Sequence, residues 1–349
     1  LVDENRWIVS HGLARLEHTE RCGLAALLDA IRGNGTVKSA DGKSGASSRA
    51  KRKINTGLIG YGVAPRINAA GRISHAMKAG ELLLAESPER AEMLAAELCE
   101  INSQRQVEEN RITAAAFEKI EKEHDFEHDP VIVLDDDSWH HGVIGIVASR
   151  ITERYGLPSI LISFEGDIGK GSGRSIKGLN LVEAMNHCED LLVKYGGHEL
   201  AAGLSIRTDK IEEFRSAINK NASVKIDEKS LIPTISIDAF IKPTYITLET
   251  VDEINRLQPF GVENPSPVFA VKNIKIHKIS TMSENKHLRM TLLKEGKFLD
   301  AVGFGMGEYY NNLKEGDFIN VAFGIDINDY KGYKNVQLIL KDIKLAEVN

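Results

Sequence analysis

Residues 171–175 (GSGRS) and 196–198 (GGH) interrupt otherwise apolar sequence with small residues and one polar head each. Glycine has no Cβ, so a ligand can approach the backbone closely at these positions. Arg174 supplies a planar fork of donors suited to phosphate, and the two serines of the first stretch add hydroxyl donors. His198 donates from one or both ring nitrogens. The set suits a tetrahedral oxyanion, although a β-hairpin with a surface arginine and a structural histidine would contain the same residues.

The sequence around these stretches alternates between strand-like and helix-like patterns from Pro130 onward. Strands are expected at 131–134, 159–164 and 201–206, and helices at 142–155 and 181–195. The GGH stretch is expected to form a turn before the last of these strands. A polar stretch at 207–231 follows and predicts a short helix and a linker. Alternating strands and helices indicate an α/β layered domain.

A long helix is predicted ahead of this domain. Residues 87–89 (SPE) combine a capping serine, a proline at the first helical position and an acid in the first turn. No glycine or proline follows before Pro130, so the helix can run to about residue 123, a length of about 54 Å. Its ends carry apolar stripes, whereas 102–111 is polar all round except for Val107. This pattern is typical of a strut exposed between two domains.

Two stretches near the start of the chain carry positive charge. Residues 31–53 mix Gly, Ser and Ala with many basic side chains against only one acid, Asp41, and predict a mobile basic loop. Such a loop could contact a nucleic-acid backbone or simply be solvated. Residues 64–72 (APRINAAGR) place Arg66, Asn68 and Arg72 among small residues, in a predicted loop before a helix that starts near residue 77. These donors could converge on an anion or be ordinary surface groups.

Three aspartates at 135–137, followed by His140 and His141, have the composition of a metal site for Mn²⁺ or Zn²⁺. However, adjacent residues of an extended segment point to alternate faces, which disfavours convergence on one ion. His140 alone is the better candidate, because it enters a helix whose free amides favour an anion.

From Pro233 onward the patterns are those of β-strands. They are expected at 234–241, 268–279, 287–293, 299–304, 318–327 and 335–343. A small antiparallel barrel of the oligonucleotide-binding (OB) type fits this series. Arg289, Tyr330 and Tyr333 could then contact a nucleic-acid backbone and stack on bases, or the aromatics could merely complete the barrel core.

Composition limits the class of protein. The chain has 349 residues, enough for two or three domains, with 42% hydrophobic and 27% charged residues. Its net charge of −6 means that any basic surface must be local. Cys22, Cys99 and Cys188 are far apart, which disfavours a disulfide framework or zinc cluster. No apolar run approaches membrane-spanning length. Because the sequence begins with Leu, we expect an N-terminal part to be missing.

Together these stretches resemble the RecJ family of bacterial single-strand-specific DNA exonucleases, in the DHH phosphoesterase superfamily. The resemblance is carried by residues 65–72, 139–148, 172–175, 196–198 with 201–203, and 257–261 with 264–265. It covers essentially the whole chain except 31–53, which resembles an insertion. The GGH stretch alone marks only the DHH-associated domain, which oligoribonucleases, cyclic-dinucleotide phosphodiesterases and alanyl-tRNA synthetases share. The long helix and the barrel favour RecJ.

The resemblance implies an α/β DHH-associated domain joined by a long helix to the tail of the DHH domain, plus a C-terminal all-β OB-fold barrel. The implied segments are the DHH tail at 1–75, the connecting helix at 76–128, the substrate-binding domain and linker at 129–231, and the nucleic-acid-binding barrel at 232–349. The family's metal-binding motifs do not occur in this sequence, and residues 1–6 resemble the segment just after the last metal-binding aspartate. We therefore expect the Mn²⁺ or Mg²⁺ of the intact enzyme to have no ligand in this chain, and the chain alone to be inactive.

The implied activity is 5′→3′ hydrolysis of single-stranded DNA in repair and recombination. Arg174 and His198 take the catalytic positions. The implied phosphate-binding residues are Arg66, Asn68, Arg72, His140, Ser172, Gly173, Ser175, Gly196 and Gly197. Single-stranded DNA is the expected partner, with a single-strand-binding protein and a helicase as further candidates, for a cytoplasmic monomer without membrane contact. The alternatives are an oligoribonuclease, a cyclic-dinucleotide phosphodiesterase or a non-catalytic nucleic-acid-binding module.

Overall fold

The computed structural model describes residues 1–33, 53–226, 234–330 and 332–346. The chain forms two compact units: a barrel unit (Leu1–Ala14 with Thr234–Asn349) and an α/β unit (Arg15–Pro233). Most of the predicted basic loop, 34–52, lies outside the described residues. Within those residues, no helix is both long enough and apolar enough to span a membrane.

Helices make up the first part of the chain. They are α1 (Asp3–Leu16), α2 (Cys22–Arg32), α3 (Thr56–Leu58), α4 (Ala64–Ile73), α5 (Met77–Leu83) and α6 (Pro88–Glu123). A π-helical turn, Ile59–Val63, joins α3 directly to α4. The prediction of a loop at 64–72 was therefore wrong. Pro65 is the second residue of α4 and directly follows the π-helical turn, so its missing N–H falls where the helical hydrogen-bond pattern changes from π to α.

The predicted bounds of α6 are confirmed, and the Ser87 side chain accepts a hydrogen bond from the backbone N–H of Arg90 at 3.3 Å. The predicted exposure of its middle was wrong. Arg105 and Glu109 are buried and paired with each other, whereas Val107, the apolar residue of that stretch, is 70% exposed. Glu109 also accepts from Arg150 at 2.6 Å, and this pairing makes burial of the charges tolerable.

The second half of the α/β unit contains one five-stranded sheet. Its elements are β1 (Ile132–Asp136), α7 (His141–Tyr155), β2 (Ser159–Glu165), β3 (Ile168–Arg174), α8 (Leu181–Asn186), β4 (Leu192–His198), β5 (Ala201–Arg207) and α9 (Ile211–Lys225). The strand order is β1-β2-β3-β5-β4, and only the β1–β2 pair is parallel. The predicted helix at 181–195 ends at Asn186, because the residues from Leu192 onward pair with β5. The GGH stretch is consequently the end of β4 and not a turn.

The sheet lies between two helical layers. Ile112 and Ile120 of α6 and Val143 of α7 pack against one face, in a cluster with Leu134 and Leu161. The other face is covered by side chains of α8 and α9, and its cluster includes Ile160, Ile162, Leu181, Leu204 and Phe214. Helices thus bury both faces of β1 and β2, as the alternating pattern predicts, whereas the cluster under α6 and α7 contains no residue of β3, β4 or β5.

The barrel unit confirms the predicted OB-type barrel. Its elements are β6 (Ala239–Phe240), α10 (Leu248–Asn255), β7 (Phe269–Met282), β8 (His287–Lys294), β9 (Lys297–Gly303), β10 (Phe318–Tyr330) and β11 (Tyr333–Leu345). Five strands pair in the order β7-β8-β9-β11-β10, and β10 pairs with β7 to close the barrel. The β9–β11 pair is parallel, so the expectation of a wholly antiparallel barrel was wrong. The strand predicted at 234–241 is reduced to the two residues of β6.

Candidate functional site

The register of β3, β5 and β4 places two rows of residues on one face of the sheet. The rows are Arg174–Ala201–His198 and Ser172–Gly203–Gly196. Residues directly opposite each other in antiparallel strands project from the same face, so both rows form one surface, which we call the open face. The backbones of Arg174 and His198 are two strands apart, about 10 Å. The register thus puts Arg174 and His198 on one face, at opposite ends of the first row.

The second row carries no side chain on β5 or β4, where its residues are Gly203 and Gly196. A Cβ added to Gly196 would meet no atom within 4 Å, and one added to Gly203 would come no closer than 3.7 Å to a protein atom. Packing therefore does not require glycine at either position. Gly197 differs, because its φ is +154° and an added Cβ would lie 2.3 Å from the Ala201 carbonyl oxygen. Gly197 is thus needed for the close approach of β4 to β5, and the two open glycines leave room for a ligand.

Two residues predicted to bind phosphate are directed elsewhere. Gly173 lies on the opposite face, where an added Cβ would be 2.8 Å from the Leu181 side chain. The Ser175 hydroxyl donates to the Leu179 carbonyl oxygen at 2.8 Å, within the turn before α8. The alternation of side chains along β3 explains the difference, since Ser172 and Arg174 project from one face and Gly173 from the other.

Arg174 is half-buried and held by neutral groups. Its Nε donates to the Ser149 hydroxyl of α7 at 3.1 Å, and its Nη1 donates to the Ser172 hydroxyl at 3.3 Å and to the Gly173 carbonyl at 2.7 Å. Within the described residues no carboxylate pairs with this guanidinium. Burial, and secondarily the nearby Arg72 guanidinium, lower the pKa of Arg174. A bound anion would supply the negative charge that this position lacks.

Two more donors meet at the first turn of α7. Arg72 Nη1 donates to the Gly142 carbonyl at 3.1 Å, and a Cβ on Gly142 would lie 2.2 Å from the Arg72 carbonyl oxygen. His140 caps the helix, with its Nδ1 accepting from the Gly142 N–H at 3.1 Å. The neutral ring therefore carries its proton on Nε2 and can donate outward. Arg72, His140 and Arg174 thus belong to one neighbourhood.

The loop before α7 is held by α6. Arg111 donates to the Ser138 carbonyl at 2.6 Å, and it also donates to both carboxylate oxygens of Glu108, at 2.7 and 2.9 Å. The Arg111 guanidinium holds the pKa of Glu108 below its ordinary value of 4.5. Two side chains from the middle of α6 therefore position the start of α7, and with it His140.

Arg66 is not brought to this neighbourhood, whereas Asn68 lies four positions before Arg72 and therefore on the same face of α4. Arg66 donates to the Cys99 sulfur at 3.2 Å and to the Gly62 carbonyl at 2.9 Å, and it lines a separate cavity of about 570 Å³ together with Lys53 and Tyr61. Arg66 and Arg72 are six positions apart on α4, which separates their directions around the helix axis by about 120°. Asn68 is exposed.

The acidic stretch of β1 serves ion pairs. Asp135 accepts from Arg215 of α9 at 2.6 Å, and Asp136 accepts from Lys119 of α6 at 2.8 Å. Among the described residues, no group of three or more His, Cys, Asp or Glu side chains could hold a metal ion. These residues therefore do not fit a divalent cation.

The barrel unit separates its three predicted nucleic-acid contacts. Arg289 is exposed on β8, level with Val302 of β9 and Ile339 of β11. Tyr333 is 79% exposed and precedes Ile339 by six residues, about 20 Å along the strand. Tyr330 is its register partner at the tip of the β10–β11 hairpin. An extended single strand of nucleic acid could therefore contact both Arg289 and Tyr333, whereas one nucleotide could not.

Several residues of these surfaces escaped the sequence analysis. Ser149 and Gly145 are four positions apart on α7, and this spacing predicts from the sequence that they share one face of the helix. A Cβ on Gly145 would lie 2.8 Å from the Ser172 hydroxyl and 3.2 Å from Arg174 Nη2, so glycine is needed there. On the barrel, Phe298 and Phe304 are 56% and 61% exposed. Exposure of this kind cannot be read from alternation alone.

Comparison with protein families gives two domain matches. Residues 128–223 match the DHHA1 domain model, and residues 237–342 match the RecJ OB domain model. Both coincide with the folded regions described above, the α/β sheet and the closed barrel.

Full-length relatives extend the similarity over nearly the whole chain. The chain is 35% identical over 350 residues to the single-stranded-DNA-specific exonuclease RecJ of Bacillus subtilis, covering 99% of this chain and 42% of the relative. It is 29% identical to RecJ of Escherichia coli, covering 97% of this chain and 57% of that protein. The chain thus spans about half the length of these relatives. Similarity to RecJ proteins over this extent supports the RecJ interpretation over the alternatives.

Solved structures agree with the sequence relatives. The crystal structure of RecJ in complex with Mn²⁺ from Thermus thermophilus is similar with a TM-score of 0.80 and 28% identity, covering 99% of this chain and 47% of that one. The Mg²⁺ complex gives a TM-score of 0.78 at 27% identity, covering 99% of this chain and 49% of that one.

Proposed function

Because the chain belongs to the RecJ family, we propose that it binds single-stranded DNA and supplies the strand-holding part of a 5′→3′ exonuclease of DNA repair and recombination. The observation that carries this proposal is the open face, where a half-buried guanidinium without a carboxylate partner in the described chain adjoins a second guanidinium and a strip of bare backbone. Phosphate is the group that such a surface suits best.

On this proposal the open face binds one phosphate of the strand end. Arg174 and Ser172 donate to its oxygens from β3, and His198 approaches from β4. The bare backbone at Gly196 and Gly203 lets the phosphodiester lie close to the sheet. Arg72 and His140 add donors from the side of α7. Donors held in place before the reaction stabilise charge that develops on a phosphate without reorganising.

The Thermus thermophilus relatives contain Mg²⁺ or Mn²⁺. We propose that the whole enzyme uses such a cation, which would activate a water and neutralise phosphate charge. The residues described here would then orient the strand, and the chain alone would bind without cutting. The single-strand-binding protein, the helicase, the monomeric state and the cytoplasmic location stay predictions.

Fluorescence anisotropy with labelled single strands of equal sequence tests the proposal. The 349-residue chain is expected to bind a 5′-phosphorylated strand more tightly than a 5′-hydroxyl strand. Arg174→Ala should remove most of that difference, because the donor fork is lost. The matched control is Arg90→Ala. It removes an exposed arginine of α6 that pairs with Glu81 of α5, and it should preserve the preference for the phosphorylated strand.

Salt dependence gives a second measurement. For single strands, log K should fall with log salt concentration by about 0.7 per phosphate contacted. Equal affinity of the wild-type chain for the two strand ends, or a salt response near zero, would contradict the proposal.

A further inference from the structure

One edge of β7 changes its partner strand partway along. β6 pairs with Phe269 and Ala270, and β8 pairs only from Lys275 onward, while β10 pairs along the other edge. Lys294, the last residue of β8, donates from its ammonium to the carbonyl oxygens of Lys272 and, at 3.3 Å, Asn273. A cavity of about 310 Å³ lies at this interruption of the sheet.

The cavity combines an aromatic ring with positive charge. Lys242, Lys272 and Lys294 line it, against a single carboxylate, Glu295. The Lys272 ammonium lies 4.9 Å from the centroid of the Phe240 ring, and Phe240 is 61% exposed. In the described part of the chain, neither Lys242 nor Lys272 forms an ion pair. An exposed ring beside unneutralised ammonium groups suits a base and its phosphate.

The positive charge continues along β7 beyond the cavity. Lys275 and Lys278 are exposed, and Lys278 pairs in register with Thr291 of β8. Arg289 is the next outward residue of β8, two positions from Thr291. Exposed cations therefore connect the cavity to the residue that the sequence analysis singled out on this barrel. A strand crossing the barrel at Arg289 could follow this line to the cavity.

We propose that the cavity at the β6–β8 interruption is a nucleotide subsite for single-stranded nucleic acid, with a base stacked on Phe240 and a phosphate held by Lys272 and Lys242. The inference rests on the proposed function, because it states where a bound single strand of nucleic acid ends on the barrel. It is independent of Arg174, since the open face belongs to the α/β unit.

The test compares Phe240→Leu and Lys272→Gln with wild type in the 349-residue chain. Phe126→Leu and Lys220→Gln are the matched controls, because they remove a ring that is 55% exposed and an exposed lysine from the α/β unit. Binding is measured by fluorescence anisotropy for a series of oligothymidylates and for strands in which abasic sites replace the bases at equal phosphate number. Thermal unfolding reports whether each variant is folded.

Phe240→Leu is expected to weaken binding of a long oligothymidylate by about fivefold or more, the effect of losing one stacked base. The same variant should leave the affinity for the shortest binding strand and for the abasic strand unchanged. Lys272→Gln should reduce the salt slope by about 0.7, the contribution of one phosphate on a single strand. The control variants should change neither quantity.

Three outcomes would overturn the inference. The first is an equal loss for thymidylate and abasic strands in folded Phe240→Leu, because the ring would then not hold a base. The second is an unchanged affinity in both cavity variants while Arg174→Ala still impairs binding, which leaves the proposed function intact. The third is competition by polyglutamate: if it displaces the oligothymidylate from wild type but not from Lys272→Gln, the cavity binds an acidic peptide. Failure of the wild-type chain to bind any strand would refute both proposals.

Discussion

Adjacent glycines at the end of β4 are expected to respond oppositely to the same substitution. Gly196→Ala adds a methyl group that meets no protein atom within 4 Å. Gly197→Ala adds one that lies 2.3 Å from the Ala201 carbonyl oxygen, at a φ of +154° that side chains rarely adopt. One substitution therefore tests the open face, and the other tests the pairing of β4 with β5.

The magnitudes follow from this geometry. Replacing a strand glycine by alanine where the backbone allows it stabilises by about 0.5–1 kcal/mol, because the unfolded chain loses freedom. Forcing a side chain into the strained region at Gly197 costs about 1–3 kcal/mol, and the backbone clash adds to this. For a unit of this size, 1 kcal/mol corresponds to roughly 2–4 °C in Tm. Gly196→Ala should thus raise the Tm by about 1–4 °C, and Gly197→Ala should lower it by at least about 2 °C.

Binding should change in the opposite sense for Gly196→Ala. Its methyl group occupies the space in which a phosphate would meet the donors of β3 and β4. We expect affinity for a 5′-phosphorylated strand to fall by about tenfold, which is about 1.4 kcal/mol. The assay is fluorescence anisotropy beside a thermal melt of the same sample. Gly203→Ala is a second variant of this kind, because its added Cβ has only ordinary contacts.

A stabilised Gly196→Ala that binds as tightly as wild type would refute the reasoning, since the bare strip would then have no ligand to admit. Destabilisation by Gly196→Ala would also count against it, because the added methyl group would then be meeting protein. Gly197→Ala separates loss of fold from loss of binding, since it should impair binding only as far as it unfolds the sheet.

Two further predictions concern α6. Glu109→Ala leaves Arg105, which is 8% exposed, without its buried partner. It should lower the free energy of unfolding, measured in urea, by about 3–5 kcal/mol. The control is Glu118→Ala, which removes an exposed partner of Lys122 and should have no measurable effect. A normal urea midpoint for Glu109→Ala would contradict the pairing. Arg111 holds the pKa of folded Glu108 below its ordinary value of 4.5, so this group contributes stability above that pH and loses it as the pH falls through the lowered folded pKa. Thermal melts from pH 6 to pH 3 should therefore show a steeper fall for wild type than for Glu108→Gln, and parallel curves would disprove the contribution.

Local patterns accounted for most of the elements. The capping serine and proline at 87–88 placed the start of α6, and the absence of helix breakers placed its end. Alternation of apolar and polar residues predicted most of the barrel strands, and small residues beside Arg174 and His198 directed attention to β3 and β4. Such features depend on neighbours within a few positions, so one sequence contains them.

The tertiary structure alone decided which polar residues are buried and which surfaces meet. The middle of α6 reads as solvent-exposed, yet Glu109 is buried because Arg150, forty-one residues away, neutralises it. Residues 192–195 read as helix, yet they form a strand because β5 offers them hydrogen bonds. The neighbourhood of Arg72 and Arg174 depends on how α4 packs, and the pair of open glycines on β4 and β5 depends on strand register. These outcomes depend on partners distant in sequence, and the periodicity of a single segment contains no information about them.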